Sequence, residues 1–254
     1  MYEYLTASAM LPKKFALIVG NARSGTTIVG AIIDSHSKML CANESSASGV
    51  FWRGMDRPQI LDNIIDNCRH NLANQRPSEG YLYGINTCDK NAQDVEVIAD
   101  KIWNPALLLL AGQRNLLTSL QDRTGAETVL VHCVRNPFDV IATMHRRSGA
   151  ALRDRLGWYA MHCEAIQMII DRDEKPIHLL RHEDLSERPV QISRELFEWL
   201  GYPTSEAHLK DIQSRVLPKP RQTRLEVEWS DELIQAVDGL TDRYAFLRGY
   251  SFHS

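Results

Sequence analysis

An α/β fold, with a central parallel β-sheet between two helical layers, is what this chain predicts, on three observations. The apolar run Phe15–Val19 passes through a glycine-bounded loop, Gly20–Gly25, into a helical pattern that starts at Thr26. A second apolar run, Thr128–Val134, leads through Asn136-Pro137 into another helical pattern. Strand-like and helical stretches alternate along the chain, and that alternation implies parallel strands with both faces covered.

Taken in order, Phe15–Val19 is apolar throughout, as a strand buried on both faces must be. Ile28, Val29, Ile32 and Ile33 then recur at helical spacing. The polar stretch Asn43 to Gly49 reads as a loop. Pro58 to Asn74 is helical, with Ile60, Leu61, Ile64 and Ile65 on one face. Tyr81 to Ile85 is a short strand candidate. Val95 to Leu120 reads as helix, interrupted at Asn104-Pro105 because the residue before a proline disfavours helix. Thr128–Val134 is the second buried strand, and the helix after Asn136-Pro137 runs to about Arg146. Leu156–Ile170 is a helix, Ile177–Leu180 a strand, and Val190–Leu200 a helix that Gly201 ends. No repeat, low-complexity tract or linker interrupts this pattern, so 1–254 reads as one domain.

Composition narrows the class. The chain has 254 residues, and a chain of that size buries roughly 70–75% of its unfolded surface without staples. Lys and Arg total 29 against 32 Asp and Glu, a net charge of −3, which argues against a nucleic-acid or anionic-membrane partner. The five cysteines are scattered, without C-x-x-C spacing, so neither a disulfide framework nor a zinc site is expected. The first residues lack a basic region followed by an apolar core, and no apolar run approaches membrane-spanning length. A cytoplasmic location is the default expectation.

Two motifs carry chemistry. Gly20-Asn-Ala-Arg23-Ser24-Gly25-Thr26-Thr27 joins a strand to a helix start, so successive backbone N–H groups and the helix dipole form an anion cradle. Its spacing is that of a phosphate-binding loop, yet Thr26 stands where a nucleotide triphosphatase carries lysine, and the cation is Arg23 inside the loop. The second motif, Arg135-Asn-Pro-Phe-Asp-Val-Ile-Ala-Thr143, puts Arg135 at the carboxyl end of a strand and Thr143 two helical turns on. Ligands of open parallel sheets bind outside the carboxyl ends of strands, so Arg135 and the Gly20–Thr27 loop should face one crevice. An arginine and a hydroxyl so placed can hold a second phosphate.

The chain resembles sulfotransferases that use 3′-phosphoadenosine 5′-phosphosulfate (PAPS). Arg23-Ser24-Gly25-Thr26-Thr27 is similar to that family's grip on the 5′-phosphosulfate. Arg135 and Thr143 match its 3′-phosphate grip, with Thr in place of Ser. Leu179-Leu-Arg-His182-Glu-Asp-Leu185, followed by Pro189 and Leu196–Gly201, resembles a third family block, with His182 in a tyrosine position. Leu247-Arg-Gly-Tyr250 resembles a fourth. The blocks run in family order from Phe15 to Tyr250.

The resemblance implies a P-loop-like three-layer fold and transfer of the sulfuryl group from PAPS to a hydroxyl-bearing acceptor, with PAP released and no metal. Arg23 would stabilise the transferred group. The arginine loop followed by Cys41-Ala-Asn-Glu44 is similar to the tyrosylprotein and carbohydrate branches, in which Glu44 would be the general base. Gly84-Ile-Asn-Thr-Cys-Asp89-Lys90 resembles the segment whose lysine approaches the transferred group, which makes Lys90 a catalytic candidate. Late in the chain, Lys219, Arg221 and Arg224 form a basic loop of the kind that closes on the 3′-phosphate. Segments 45–80 and 94–127 would be acceptor-side helical segments. His182 and His132 read more simply as satisfied core or rim side chains. A degenerate P-loop kinase or NTPase, and a non-catalytic nucleotide-binding protein of the same fold, are the alternatives. The acceptor (sugar, phenol, peptide tyrosine, or lipid or natural-product alcohol) stays open, as does the oligomeric state.

Overall fold

The computed structural model describes residues 5–45, 54–78, 81–85, 90–172 and 175–254. Its centre is β1 (Lys14–Val19), whose side chains alternate between two cores. Phe15, Leu17 and Val19 enter one core, Ala16 and Ile18 the other. That alternation within a wholly apolar strand is what a sheet covered on both faces requires.

Around β1 lie β2 (Met39–Asn43), β5 (Val97–Lys101), β6 (Glu127–Val134) and β7 (Ile177–Arg181), all parallel, in the order β2-β5-β1-β6-β7. A short antiparallel pair, β3 (Pro77–Ser78) with β4 (Tyr81–Leu82), stands apart. The five-stranded sheet and its flanking helices make this the P-loop-like α/β fold.

On one face pack α1 (Thr26–Ser35), α8 (Pro189–Leu200) and α9 (Glu206–Arg215), through Val29, Ile32, Ile33, Leu196, Phe197 and Ile212. On the other lie α2 (Arg57–Ala73), α3 (Asn104–Gly112), α4 (Leu116–Thr124), α5 (Pro137–Ser148) and α6 (Leu152–Ile170). Helix starts follow local chemistry. Asp56 caps α2 through the Gln59 N–H at 3.0 Å, while Gln59 accepts back from the Asp56 N–H. Asn136 caps α5 ahead of Pro137.

Two strands differ from expectation. Val95–Leu120 is not one interrupted helix, since its first part is β5, inserted between β1 and β2. Ala99, Asp100 and Lys101 are poor strand formers, and the place of β5 between two parallel neighbours overrides them. Met39–Asn43, which carries no strand signal of its own beyond a short apolar run, is the edge strand β2. Segment 94–127 is therefore strand followed by α3 and α4, and only part of Tyr81–Ile85 is strand. Of segment 45–80, α2 is helical; residues 46–53 and 79–80 lie outside the described residues, as does most of the Asn43–Gly49 loop. Cys41, Cys68, Cys133 and Cys163 are buried free thiols. Among the described residues no helix is long and apolar enough to cross a membrane.

Candidate active site

All five parallel strands end at the same edge, which gathers the loop after β1, Glu44 after β2, Lys101 at the end of β5, Arg135 after β6 and His182 after β7. The β1 loop is held tight by its glycines. A Cβ on Gly20 would stand 2.5 Å from the Cys133 carbonyl oxygen of β6, so the loop packs directly on the neighbouring strand. Gly25 has φ +87° and begins α1 without a side chain to cap it, which leaves the first-turn amides to a ligand. Arg23 adopts φ +77°, a left-handed conformation that costs a non-glycine residue roughly 1–2 kcal/mol. Such strain accumulates at functional sites.

Arg135 is buried, and that burial lowers its pKa. Its Nη1 donates to the Arg23 carbonyl at 3.4 Å and its Nη2 to the Arg221 carbonyl, so one guanidinium joins the β1 loop to the 221–226 segment. Thr143 donates to the Asp139 carbonyl at 2.7 Å and lies 3.1 Å from the Thr223 hydroxyl. The structure thus brings Arg23, Ser24, Gly25, Thr26, Thr27, Arg135 and Thr143 to one edge.

His182 opens the short helix α7 (His182–Glu187) against the same loop. A Cβ on Gly25 would lie 2.5 Å from its Nδ1, an atom without a hydrogen-bond partner among the described residues. Burial first, then the Arg135 charge, pushes its pKa down to about 3, so the ring is neutral. It is therefore not the satisfied rim residue expected. His132 is a core residue, packed edge-on against Phe246 with ring centroids 4.8 Å apart.

Glu44, at φ +60°, pairs through its carboxylate with the Lys101 ammonium, and its N–H donates to the Lys101 carbonyl at 2.8 Å. Lys101 stands beside Ile18 in the β1–β5 register, next to the anion loop. Asp100, fully buried, accepts from the Ser45 N–H at 3.1 Å and holds the turn after Glu44. Lys101 escaped the sequence reading although Asp100-Lys101 repeats the Asp89-Lys90 dipeptide. Taking Val95–Leu120 as helix hid its position at a strand end.

Lys90 stands elsewhere. Its ammonium is buried and donates to the carbonyls of Asp34 (2.5 Å), His36 (2.7 Å) and Met39. The Asp34 and His36 carbonyls lie at the carboxyl end of α1, a ten-residue helix about 15 Å long whose other end is the cradle, and Met39 opens β2. Asp89 and the three residues before it are outside the described residues.

The late basic loop divides. Lys219 is exposed. Arg221 is exposed and makes a bidentate pair with Glu226 at 2.7 and 2.9 Å. Arg224 is buried, and each of its guanidinium nitrogens donates to protein: Nη1 to Asp139 at 2.6 Å, Nε to the Phe252 carbonyl at 2.7 Å, Nη2 to the Ser254 carbonyl. Arg224 thus clamps the late loop to α5 and to the 252–254 backbone.

A five-stranded parallel sheet with a glycine-bounded loop running into a helix start, and a second arginine at the adjacent strand end, defines a P-loop-like fold. The profile described as "Sulfotransferase domain" matches residues 13–232, and the chain belongs to that family. It is a sulfotransferase. Similar solved structures include the sulfotransferase domain of the Synechococcus PCC 7002 olefin synthase, 13% identical over 93% of this chain and 96% of that one, with a TM-score of 0.51. Sulfotransferase STF9 of Mycobacterium avium is 9% identical over 93% of this chain and 78% of its own, with a TM-score of 0.52. STF1 of Mycobacterium tuberculosis H37Rv is 9% identical over 94% of this chain and 78% of its own, again at 0.52. Identities this low speak for the fold alone. No curated protein matches the chain significantly in sequence.

Proposed function

We propose that this enzyme transfers the sulfuryl group of PAPS to a hydroxyl-bearing acceptor and releases PAP, without a metal. The observation that carries this is the pairing of two anion sites at adjacent strand ends, the β1 loop and Arg135, joined through the Arg23 carbonyl. PAPS carries negative groups at both its 5′ and 3′ ends, which is the charge pattern such a pair suits. The residues fit it physically: the uncapped amides of α1 and glycines too crowded for a Cβ leave backbone donors for oxygens.

PAPS, when bound, supplies the sulfuryl group and a stable phosphate leaving group. Arg23 and the loop amides hold the negative charge that grows on the bridging oxygen as that bond breaks. Arg135 and Thr143 hold the 3′-phosphate. Glu44 takes the proton of the acceptor hydroxyl, since a neutral hydroxyl attacks poorly. Lys101, beside Glu44 and next to the loop, takes the part that the sequence assigned to Lys90: it orients the Glu44 carboxylate and places a cation near the transferred group. Lys219 and Arg221, at the surface of the late loop, can still reach a 3′-phosphate. We place the acceptor over the β2–β5 end of the edge, where Glu44 stands, and read the fold as a single unit in a cytoplasmic setting.

Calorimetry tests the two-site assignment. PAP should bind far more tightly than ADP or AMP without Mg²⁺; equal affinity for ADP and PAP would remove it. A kinase or NTPase would instead require Mg²⁺ and ATP, and a non-catalytic homologue would bind PAP without turnover in single-turnover assays.

A further inference from the structure

Residues 250–254 tie together three elements that meet at the second anion site. The Tyr250 hydroxyl donates to one Glu183 carboxylate oxygen at 2.6 Å, and the other accepts the Asn136 N–H at 2.9 Å. The Asn136 side chain donates to the Ser251 carbonyl at 2.9 Å and the Ser254 hydroxyl at 3.2 Å. Arg224 donates to the Phe252 and Ser254 carbonyls. The Phe252 ring meets Phe138 edge-on at 5.4 Å and Trp229 at 6.3 Å, while the Trp229 indole donates to the Arg224 carbonyl at 3.0 Å.

Each anchor adjoins a group that faces the second anion. Asn136 follows Arg135 directly. Arg224 follows Thr223, which meets Thr143, and lies three residues beyond Arg221, whose carbonyl positions Arg135. The Arg224–Asp139 pair, with both side chains 3% exposed, fastens this segment to the first turn of α5. The β1 loop meets this end of the molecule only indirectly, where Arg135 donates to the Arg23 carbonyl and where His182, next to Glu183, packs on Gly25.

We infer that segment 250–254 is a positioning strap for the 3′-phosphate site, setting that half of donor recognition without touching the 5′ half. This rests on the PAPS assignment above. The strap acts by holding Arg135, Thr143 and the 221–226 segment in register. Its loss therefore lowers affinity only for ligands that carry a 3′-phosphate.

The test compares PAP with AMP, which lacks the 3′-phosphate, by calorimetry on the full chain. Phe252→Ala should weaken PAP about tenfold, a change of about 1.4 kcal/mol, and leave AMP within about twofold. Tyr250→Phe keeps the ring, on which Arg181 stacks, and removes the hydroxyl that links to Glu183, so it folds even if Phe252→Ala does not, and it should shift PAP in the same direction by less. A general loosening of the protein would weaken both nucleotides alike and overturn the inference, as would unchanged PAP binding in the folded Tyr250→Phe variant. A wild-type protein that binds PAP no better than AMP would instead bring down the PAPS assignment itself, and the strap with it.

Discussion

The two anion sites at the carboxyl edge are built from different materials. The first is a six-residue stretch of backbone, Gly20–Gly25, between β1 and α1, in which glycines at 20 and 25 allow close approach and one helix start supplies donors. The second is made of side chains, Arg135 and Thr143, whose positions depend on Arg221, Thr223 and Asp139. A backbone cradle is complete as soon as its strand and helix form. A side-chain site is complete only when segments some 80 residues apart have docked. The first should thus be robust to distant change, and the second sensitive to it.

The largest effects should come from the chemistry at the first site. Glu44→Gln should cut single-turnover sulfate transfer by about 10²–10⁴ and leave PAP affinity nearly unchanged. Near-normal transfer by that variant would remove Glu44 from the mechanism, and loss of PAP binding as well would make it structural. Arg23→Ala should cost about 10²–10³ in turnover, by analogy with a lost oxyanion donor. A loss confined to PAP binding would mean that Arg23 only anchors the donor.

At the second site, Arg135→Ala should weaken PAP by about 1.5–3 kcal/mol, the worth of charge-assisted hydrogen bonds, and AMP far less. Equal losses for both nucleotides would erase the distinction between the sites. Lys90→Met provides a contrast. Three backbone carbonyls lose their donor, so stability should fall by about 1–3 kcal/mol in urea titration, with transfer per folded molecule intact. A turnover defect in the folded Lys90→Met protein would return Lys90 to the active site.

A change of pH acts on the whole molecule. Burial pushes His182 and His132 to about 3 and His36 to about 4, below the ordinary 6.5. The unfolded chain therefore binds more protons between those values, so stability is full above about pH 6.5 and declines as pH falls toward 3. Denaturant midpoints at pH 7.5, 6 and 5 should fall in that order. A flat profile would mean that these rings are not buried neutral. Because His182 touches the first loop, PAP should also weaken along with stability at the acid end.

This contrast also explains what the sequence revealed. The first site was legible because strand, glycine loop and helix start are contiguous from Phe15 to Ile33, and each local preference agrees with the fold. Arg135 and Thr143 were legible for the same reason, lying on one strand–helix junction. The partners that hold them were not: Arg224 reads as a free cation until its Asp139 partner is brought to it from 85 residues away. Likewise β5 carries Asp100 and Lys101 in a central strand, where tertiary burial outweighs propensity, so the sequence did not show that Lys101 stands at a strand end beside Glu44.

Lys90 behaves as a tethered monovalent cation, coordinated by three carbonyl oxygens as a bound potassium ion would be. Its location gives it an electrical meaning. The carbonyl end of α1 carries the negative pole of the helix, and Lys90 meets that pole with its ammonium group. The positive pole, at Thr26, is met by whatever anion enters the cradle. With PAPS bound as proposed, α1 would be a dipole terminated at both ends, by the protein's own ammonium at one and by the donor's anion at the other. An inert-looking lysine at the far end in this way keeps the helix that receives the donor electrically balanced.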